Sequence, residues 1–439
     1  MSVDDAKTAL AHRADISEDV GSSADSDVLA PYFALPQPRL LLDVRPELAF
    51  HRAHIVGSYN VTPISKLRSQ YSYLPPRNTP FVVLAELSQY SETVEAFAQT
   101  PSVIPIYLAP DELDADPTVS GNVISEKRFV ACAQRLGVLR KSLSHQSRLA
   151  GGHCSDSTSA NRDDIPELLF RPSNAVRRTV LSLESRYRHQ DKALRVLDLG
   201  CGAARDLAWI LHGSRTRTPT PSWTGVGVDN WKAALLRAEQ LMNDLWLNHD
   251  DTSLPLVSPC CEKLMWAKCA DDGILEPLVG TGKGKSIRTA ENHVQLWEQY
   301  RQLGLSPLLS SARDQQVTNS SDDETAKFDL VLCIRFHPRA LLPHVSRLVR
   351  AGGMVLLSHF ATLSEAQLAA ASQVDPTAIT DYDSPPHQGR IQPGEIESLV
   401  QSWNQSERPG YTWIIDSDVL EPIEDGRIIR SVGLCRVSV

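Results

Sequence analysis

The sequence predicts an α/β protein in which a small parallel-sheet domain is followed by a larger, Rossmann-like domain with a large insertion. Apolar runs of strand length alternate with helical stretches along most of the chain, which is the pattern of parallel sheets covered by helices. Residues 195–206, RVLDLGCGAARD, indicate a strand, a glycine-rich turn and the start of a helix. The chain of 439 residues is long enough for two or three domains.

Composition and charge argue against several classes of function. The net charge of -9 gives no support for a broad nucleic-acid-binding surface. There is no run of about 18 apolar residues, so no membrane-spanning helix is expected. The acidic, polar N-terminus lacks the plan of a signal or transit peptide. We therefore expect a cytoplasmic protein, and the sequence does not determine its oligomeric state.

The eight cysteines are scattered and include no C-x-x-C pair. Without a secretory signal, this usage predicts reduced thiols. A zinc site formed by Cys260, Cys261 and Cys269 is a disfavoured alternative, because structural zinc sites use paired spacings. No metal site is predicted.

The first part of the chain predicts a disordered start and one small domain. Residues 1–26 are rich in Ser, Asp and Ala, which predicts disorder. Residues 27–140 predict a parallel α/β domain, because short apolar runs are separated by polar and helical stretches. The predicted elements are strands at Leu40–Leu42, Pro80–Ala85 and Val103–Leu108, with a helix over Ser91–Phe97.

The second part predicts a linker and a larger α/β domain. Residues 141–164 are polar and rich in Ser and Gly, which predicts a linker before a domain that covers 165–439. A helix is predicted over Leu341–Val349. The predicted strands are Arg195–Leu199, Gly225–Asp229, Met265–Ala270, Phe328–Ile334, Met354–Phe360, Tyr411–Ser417 and Ile428–Val437.

Residues 273–327 interrupt this pattern and predict a surface insertion with one helix at about Ala290 to Leu303. The segment Gly280–Ser286, GTGKGKS, has the end of a phosphate-binding loop. Such a loop needs a first glycine where Val279 stands, and it needs to follow a strand directly. A flexible basic loop is the favoured interpretation.

The glycine-rich turn resembles motif I of class I S-adenosylmethionine-dependent methyltransferases. The family pattern is an acidic residue followed by alternating glycines, and here it reads DLGCGAA from Asp198 to Ala204. Ala204 replaces the third glycine. The alternative is a dinucleotide-binding turn, G-x-G-x-x-G, but Arg205 stands where its last glycine belongs. A turn that binds no ligand is the third interpretation.

The resemblance implies a site for S-adenosyl-L-methionine at the carboxyl ends of the first strands. In the family, an acidic residue at the end of strand two holds the ribose hydroxyls, and Asp229 has that place. Asn230 would contact the adenine face, and Asp271 would reach the adenine amino group. The implied cofactor-binding residues are Asp198, Gly200, Cys201, Gly202, Asp229, Asn230, Asp271 and Ile334.

Further motifs resemble the tellurite-resistance and thiopurine-type branch, which acts on small molecules. They are Arg205-Asp206 after the turn, His359-Phe360, and the segment 391–396, IQPGEI. The resemblance implies methyl transfer to a small-molecule acceptor. An oxygen or nitrogen acceptor needs a base, and the predicted catalytic residues are His337, His359 and Arg335. Either histidine could instead be a packed residue, and Arg335 or Arg339 could hold an acidic acceptor or form a structural ion pair.

The first domain resembles a rhodanese-like domain. The resemblance rests on LLDVR at 41–45 and HIVGSYNV at 54–61. Glu86 stands where the family has its catalytic cysteine, and glutamate cannot carry a transferable sulfur atom. The resemblance therefore implies an inactive module for docking or stability, with an active sulfurtransferase that uses Cys132 as the alternative.

Two rival functions stay open for the whole chain. One is a methyltransferase that acts on RNA or protein and uses the rhodanese-like fold to dock its substrate. The other is a non-enzymatic interaction protein that has lost donor binding, an idea motivated by Ala204 and by the missing nucleophile.

Overall fold

The computed structural model describes residues 26–67, 73–76, 79–110, 122–140, 166–188, 190, 192–217, 221–245, 247–248, 260–287, 293–309, 327–364, 367, 369, 379, 383–423 and 425–439. The predicted linker and residues 1–25 of the predicted disordered start lie outside this range. Two units are distinguished by their internal contacts. The first is Met1–Lys66 with Arg77–Ser144, and the second is Leu67–Pro76 with His145–Val439.

The first unit has a five-stranded sheet in which all neighbouring strands are parallel, so the predicted parallel α/β architecture is confirmed. The sheet order is β3-β1-β4-β5-β6, and β2 pairs with β7 separately. The strands are β1 (Leu41–Asp43), β2 (His54–Ile55), β3 (Tyr59–Asn60), β4 (Phe81–Glu86), β5 (Val103–Ala109), β6 (Asn122–Ser125) and β7 (Leu139–Arg140). The helices are α1 (Ala30–Phe33), α2 (Glu47–Arg52), α3 (Tyr90–Phe97) and α4 (Glu126–Arg135).

The second unit is built on a nine-stranded sheet with the order β12-β11-β10-β9-β8-β13-β14-β16-β15. Its strands are β8 (Leu194–Leu199), β9 (Trp223–Asp229), β10 (Cys261–Cys269), β11 (Leu275–Val279), β12 (Lys285–Ser286), β13 (Phe328–Ile334), β14 (Val349–Phe360), β15 (Tyr411–Pro422) and β16 (Ile428–Ser438). Its helices are α5 (Asn174–Tyr187), α6 (Arg205–Thr216), α7 (Lys232–Asp244), α8 (Val294–Gln302), α9 (Leu342–Val345) and α10 (Glu395–Ser406).

The five strands β10, β9, β8, β13 and β14 are parallel, and strand order reverses between β8 and β13. In open parallel sheets, ligands bind beyond the carboxyl ends of the strands at such a reversal. β16 then runs antiparallel to β14, so the β15–β16 turn returns to this same edge. The topology therefore gathers the ends of β8, β9 and β13 with the β15–β16 turn.

A fully buried carboxylate ties the central strands together. Asp329 of β13 accepts a hydrogen bond of 2.8 Å from the backbone N–H of Arg195 in β8. It also pairs with Arg350 at 2.8 Å and Lys192 at 3.1 Å. Across β9, the Arg195 guanidinium donates two hydrogen bonds of 2.8 and 2.6 Å to Glu262 of β10. These contacts fix how the strands are aligned, and hence where their carboxyl ends lie.

In the described part of 273–327, the predicted helix is present as α8, but the predicted surface location is wrong. β11 and β12 extend the sheet beyond β10, and α8 packs Trp297 and Tyr300 into the hydrophobic core. Apolar side chains at these positions need burial, and they share one buried cluster with Met265 and Ala267 of β10. Gly280–Ser286 forms the turn between β11 and β12 and enters β12, so the phosphate-loop alternative lacks its helix.

Two predicted boundaries also change. The predicted helix Leu341–Val349 is shorter, because α9 is followed by a 3-10 turn at Ser346–Leu348 and β14 already begins at Val349. The predicted strand at Tyr411–Ser417 extends to Pro422 because β16 pairs along its whole length. Among the described residues, no helix has the length and apolar character that a membrane crossing requires.

Candidate active site

The turn after β8 uses its two glycines for different reasons. Gly200 has a φ of +73°, and a Cβ atom there would lie 2.5 Å from the Phe336 ring. Gly202 has a φ of +55°, and a Cβ atom there would meet nothing within 4 Å among the described residues. The first glycine lets the residues after β13 pack against the turn. The second leaves its backbone open to a ligand.

Ala204 occupies the place of the family's third glycine and keeps the left-handed conformation that glycine favours. Its φ is +55°, and its side chain is fully buried at the N-terminus of α6. Left-handed backbone costs about 1–2 kcal/mol for an L-residue with a Cβ atom. The departure from the motif is therefore conformationally conservative, since alanine is the smallest side chain that could replace glycine here.

Asp229 links the end of β9 to the glycine-rich turn. Its Oδ2 accepts a hydrogen bond of 2.8 Å from the backbone N–H of Gly202, and its Oδ1 accepts one of 2.7 Å from Trp231. A carboxylate has about four lone-pair positions, so each oxygen can accept a second hydrogen bond. The carboxylate is half-buried, which leaves it reachable for a diol.

Three carboxylates lie close enough to influence one another at this turn. Burial raises the pKa of Asp198 well above its ordinary range, and Asp206 and Asp229 raise it further. Burial also raises the pKa of Asp206, although that carboxylate accepts a 2.8 Å hydrogen bond from the N–H of Ser173. Burial, Asp198 and Asp229 raise the pKa of the Cys201 thiol. A cationic ligand would favour ionisation of these groups, and an anionic ligand would oppose it.

The remaining predicted donor residues lie at strand ends without such contacts. Asn230 is exposed, and its carbonyl accepts a 3.1 Å hydrogen bond from the Trp266 indole. Asp271 is exposed in the turn after β10, and Ile334 is half-buried at the end of β13. The structure thus brings Asp198, Gly202 and Asp229 together, whereas Asn230 and Asp271 are exposed to solvent.

The two predicted catalytic histidines are neighbours. The ring centroids of His337 and His359 are 5.6 Å apart, and the His337 side chain is only 3% exposed. Burial lowers the pKa of both; the neighbouring imidazole contributes to the pKa of about 4 at His359. Within the described residues, Nδ1 of both rings has no partner in hydrogen-bond geometry, whereas Nε2 of His337 lies beside the Glu395 carboxylate.

The two arginines after β13 differ in their environment. Arg339 donates to both carboxylate oxygens of Glu395, at 2.7 and 3.1 Å, and to the carbonyls of Gln388 and Arg390. Arg335 is exposed, has a φ of +55°, and its guanidinium makes no hydrogen bond or ion pair with described residues. Its positive charge acts to lower the pKa of Asp206 and that of Asp425. Arg339 is therefore a structural clamp, and Arg335 stays a candidate for ligand binding.

Glu395 is the functional candidate that sequence reasoning missed. Its Oε1 lies 3.1 Å from Nε2 of His337. Although burial opposes ionisation, hydrogen bonds from Arg339 and the Gln392 backbone hold the pKa of Glu395 below its ordinary value. The available signal was Pro393-Gly394-Glu395, in which Gly394 has a φ of +76° and starts α10. No group of three His, Cys, Asp or Glu side chains in the described part of the chain could hold a metal ion.

In the first unit, side chains of the loop after β4 form hydrogen bonds with the backbone N–H groups of the same loop. Glu86 and Gln89 form a capping box, in which each side chain accepts from the other residue's backbone N–H. The Gln89 amide also donates to the carbonyl of Val44 at 2.9 Å. Cys132 is buried in α4 within the core of the unit, which removes it from the loop.

The curated relative and the solved structures that resemble this chain share low sequence identity with it. No family model matches the chain. An uncharacterized protein of Schizosaccharomyces pombe is 27% identical over 264 residues, which is 60% of this chain and 62% of that protein's length. More than a third of the relative's length therefore has no counterpart in the matched region of this chain.

Among solved structures, similar folds are S-adenosylmethionine-dependent methyltransferases at low identity. One from Methanosarcina mazei is 12% identical, with 58% of this chain and 97% of that chain covered and a TM-score of 0.30. One from Thiobacillus denitrificans, in complex with S-adenosyl-L-homocysteine, is 11% identical, with 60% and 91% covered and a TM-score of 0.28.

Proposed function

We propose that the second unit is an S-adenosylmethionine-dependent methyltransferase that acts on a small-molecule acceptor. The observation that carries the proposal is the contact between Asp229 and Gly202. It joins an open glycine turn after the first central strand to an acidic residue after the second, at the point where strand order reverses. The cytoplasmic location and the small-molecule acceptor belong to the same proposal.

The residues at this turn fit the donor's chemistry. The space beside Gly202 admits a ligand, and Asp229 can accept hydrogen bonds from a ribose diol. The donor carries a sulfonium and an ammonium, and these positive charges would favour ionisation of Asp198 and Asp206, whose pKa values burial raises. A dinucleotide would bring a diphosphate to the same place, which these acids disfavour.

The chain's own residues would hold and orient the reactants. When bound, the donor supplies a methyl group on an already activated sulfonium. Positioning the acceptor in line with that methyl group supplies most of the rate, because proximity alone contributes about 7–11 kcal/mol in favourable cases. His337 and His359 line the acceptor side, and Arg335 is available for an acidic group on the acceptor.

We propose that the first unit is a rhodanese-like module without sulfurtransferase activity that serves docking or stability. Glu86 supplies a carboxylate where a sulfur nucleophile would be needed. The parallel sheet and the self-capped loop after β4 support this interpretation.

Calorimetric titration of the full chain tests the proposed function. S-adenosylmethionine and S-adenosylhomocysteine should bind in the micromolar range, and NAD should not bind. Asp229→Asn should weaken S-adenosylhomocysteine binding by roughly tenfold or more, the scale of a charge-assisted hydrogen bond. The matched control is Asp416→Asn, which changes an exposed acid on β15. Absence of binding to the folded chain would favour an interaction protein, and NAD binding would favour a dinucleotide site.

A further inference from the structure

The imidazoles of His337 and His359 are buried, and Nδ1 of each ring has no partner in hydrogen-bond geometry among the described residues. Buried polar atoms are normally satisfied, so an unsatisfied group needs an explanation. Both residues lie at the carboxyl ends of the neighbouring parallel strands β13 and β14. Phe336, which directly precedes His337, packs against Gly200 in the glycine-rich turn. The polar atoms are thus next to the site described above.

Glu395 is held in one orientation beside His337. Arg339 binds both carboxylate oxygens, and the backbone N–H of Gln392 donates to Oε2 at 2.8 Å. Gly394, in the left-handed region, starts the helix that carries the carboxylate. The carboxylate therefore meets Nε2 of His337 at 3.1 Å without freedom to swing away.

We propose that Glu395 is a positioning residue that directs the N–H of His337 to Nε2, so that Nδ1 acts as the base for an acceptor whose nucleophile is an O–H or N–H group. This inference rests on the proposed function. A carboxylate at one ring nitrogen fixes the tautomer and favours the imidazolium that forms at the other. A thiol or thioether acceptor would need no such arrangement.

The proton and electron balance is complete with these groups. The acceptor's O–H or N–H bond breaks, its proton goes to Nδ1 of His337, and its electron pair forms the bond to the methyl carbon. The sulfur keeps the pair of the broken carbon–sulfur bond and becomes neutral. The imidazolium afterwards returns its proton to water.

Several groups act on His337 from the elements around it. Burial and Arg339 oppose the charged imidazole of His337, whereas Glu395 of α10 and the Gly389 backbone favour it. The charge of His337 in turn lowers the pKa of the neighbouring His359 of β14. Removal of the Glu395 carboxylate should therefore leave the Gly389 backbone as the one remaining group in this set that favours the charged form of His337.

The test is ring NMR of histidine-labelled full-length protein, with the His337 signal assigned by its loss in His337→Gln. Glu395→Gln should lower the pKa of His337 by about one unit, a tenfold loss of proton affinity, since an opposite charge at this distance shifts a pKa by roughly 1–3 units. It should also remove the Nε2–H tautomer preference. Glu397→Gln, on the exposed face of the same helix, is the matched control and should change neither.

An unchanged pKa and tautomer in Glu395→Gln would overturn the positioning role. S-adenosylhomocysteine affinity of this variant should equal that of the unmodified protein, which shows that the variant is folded. If neither the variant nor the unmodified protein bound S-adenosylhomocysteine, the proposed function would be contradicted instead.

The acceptor class is tested with a phenol, an aniline and a thiophenol of matched shape, by formation of S-adenosylhomocysteine. We expect the protein to methylate the phenol or the aniline, and we expect this rate to be at least a hundredfold lower in His337→Gln than in the unmodified protein. Turnover of the thiophenol alone, or of none of the three, would contradict the assigned class.

Discussion

At the residue scale, the candidate site concentrates locally unfavourable features in a few positions. Asp198 is buried beside two further acids, and Ala204 and Arg335 have left-handed backbone angles. Such features cost free energy and persist where the surrounding structure determines them, most often at functional sites. Their stability cost and their ligand-binding role can be separated by substitution.

We expect Asp198→Asn to stabilise the protein at neutral pH and to weaken donor binding. The raised pKa of Asp198 means that the folded chain binds a proton more tightly than the unfolded chain. Its contribution to stability is therefore fully present below the ordinary pKa of about 4 and is lost as the pH rises through the raised folded value. Urea unfolding of both proteins between pH 4 and 8 measures this.

The difference between Asp198→Asn and the unmodified protein should grow as the pH rises. Tryptophan fluorescence reports the second unit selectively, because all eight tryptophans follow residue 144. An equal stability difference at every pH, or one that shrinks as the pH rises, would contradict the assignment. The exposed Asp416→Asn is the control.

Ala204 should tolerate glycine and reject valine. Glycine relieves about 1–2 kcal/mol of left-handed strain but loses a buried methyl group worth about 0.8 kcal/mol, so the net change should stay within about 1 kcal/mol. Valine adds volume to a fully buried position and is β-branched, so we expect a loss of about 3 kcal/mol or more. Equal stability of the two variants in urea unfolding would refute this account.

At the scale of elements, the alignment of strands decides where the site forms. Asp329 joins β8, β13 and the start of β14, and Glu262 joins β8 to β10 across β9. Both acids lie near the amino ends of their strands, away from the candidate site. They influence the site through the positions of the strand ends.

Asp329→Ala should destabilise the second unit by about 3–5 kcal/mol, because it leaves Arg350 and the buried Arg195 N–H without their acceptor. Asp425→Ala, which removes an exposed ion pair with Arg427, should cost less than about 1 kcal/mol. The measurement is denaturant unfolding followed by tryptophan fluorescence. Similar losses in the two variants would show that Asp329 does not tie the strands.

At the scale of the whole molecule, two α/β units of different sizes share one acidic chain. The sheet of the first unit is entirely parallel, whereas that of the second ends in antiparallel strands on both sides. The candidate donor turn belongs to the second unit.

We predict that the full chain has no thiosulfate:cyanide sulfurtransferase activity. Glu86 cannot carry sulfur, and Cys132 is buried in the core of α4. The assay compares the unmodified protein with Cys132→Ser, and both should remain at the background rate. Activity that disappears in Cys132→Ser would establish the active sulfurtransferase that the sequence left as an alternative.

The sequence determined the parts of this protein that depend on local pattern. Apolar runs and the small residues from Gly200 to Ala204 specify a strand, a left-handed turn and a helix, because those conformations follow from side-chain size and burial. The parallel α/β architecture could be predicted for the same reason.

Only the tertiary structure decided how distant residues meet. β11 and α8 join the sheet and core of the second unit, and Glu395 reaches His337 and Arg339 from a helix that is remote in the chain. The Arg339–Glu395 contact spans 56 residues, a separation at which no periodicity carries information. Arg339 is held by Glu395, whereas Arg335 is exposed, and His337 faces a carboxylate. Each of these outcomes depends on how whole elements pack.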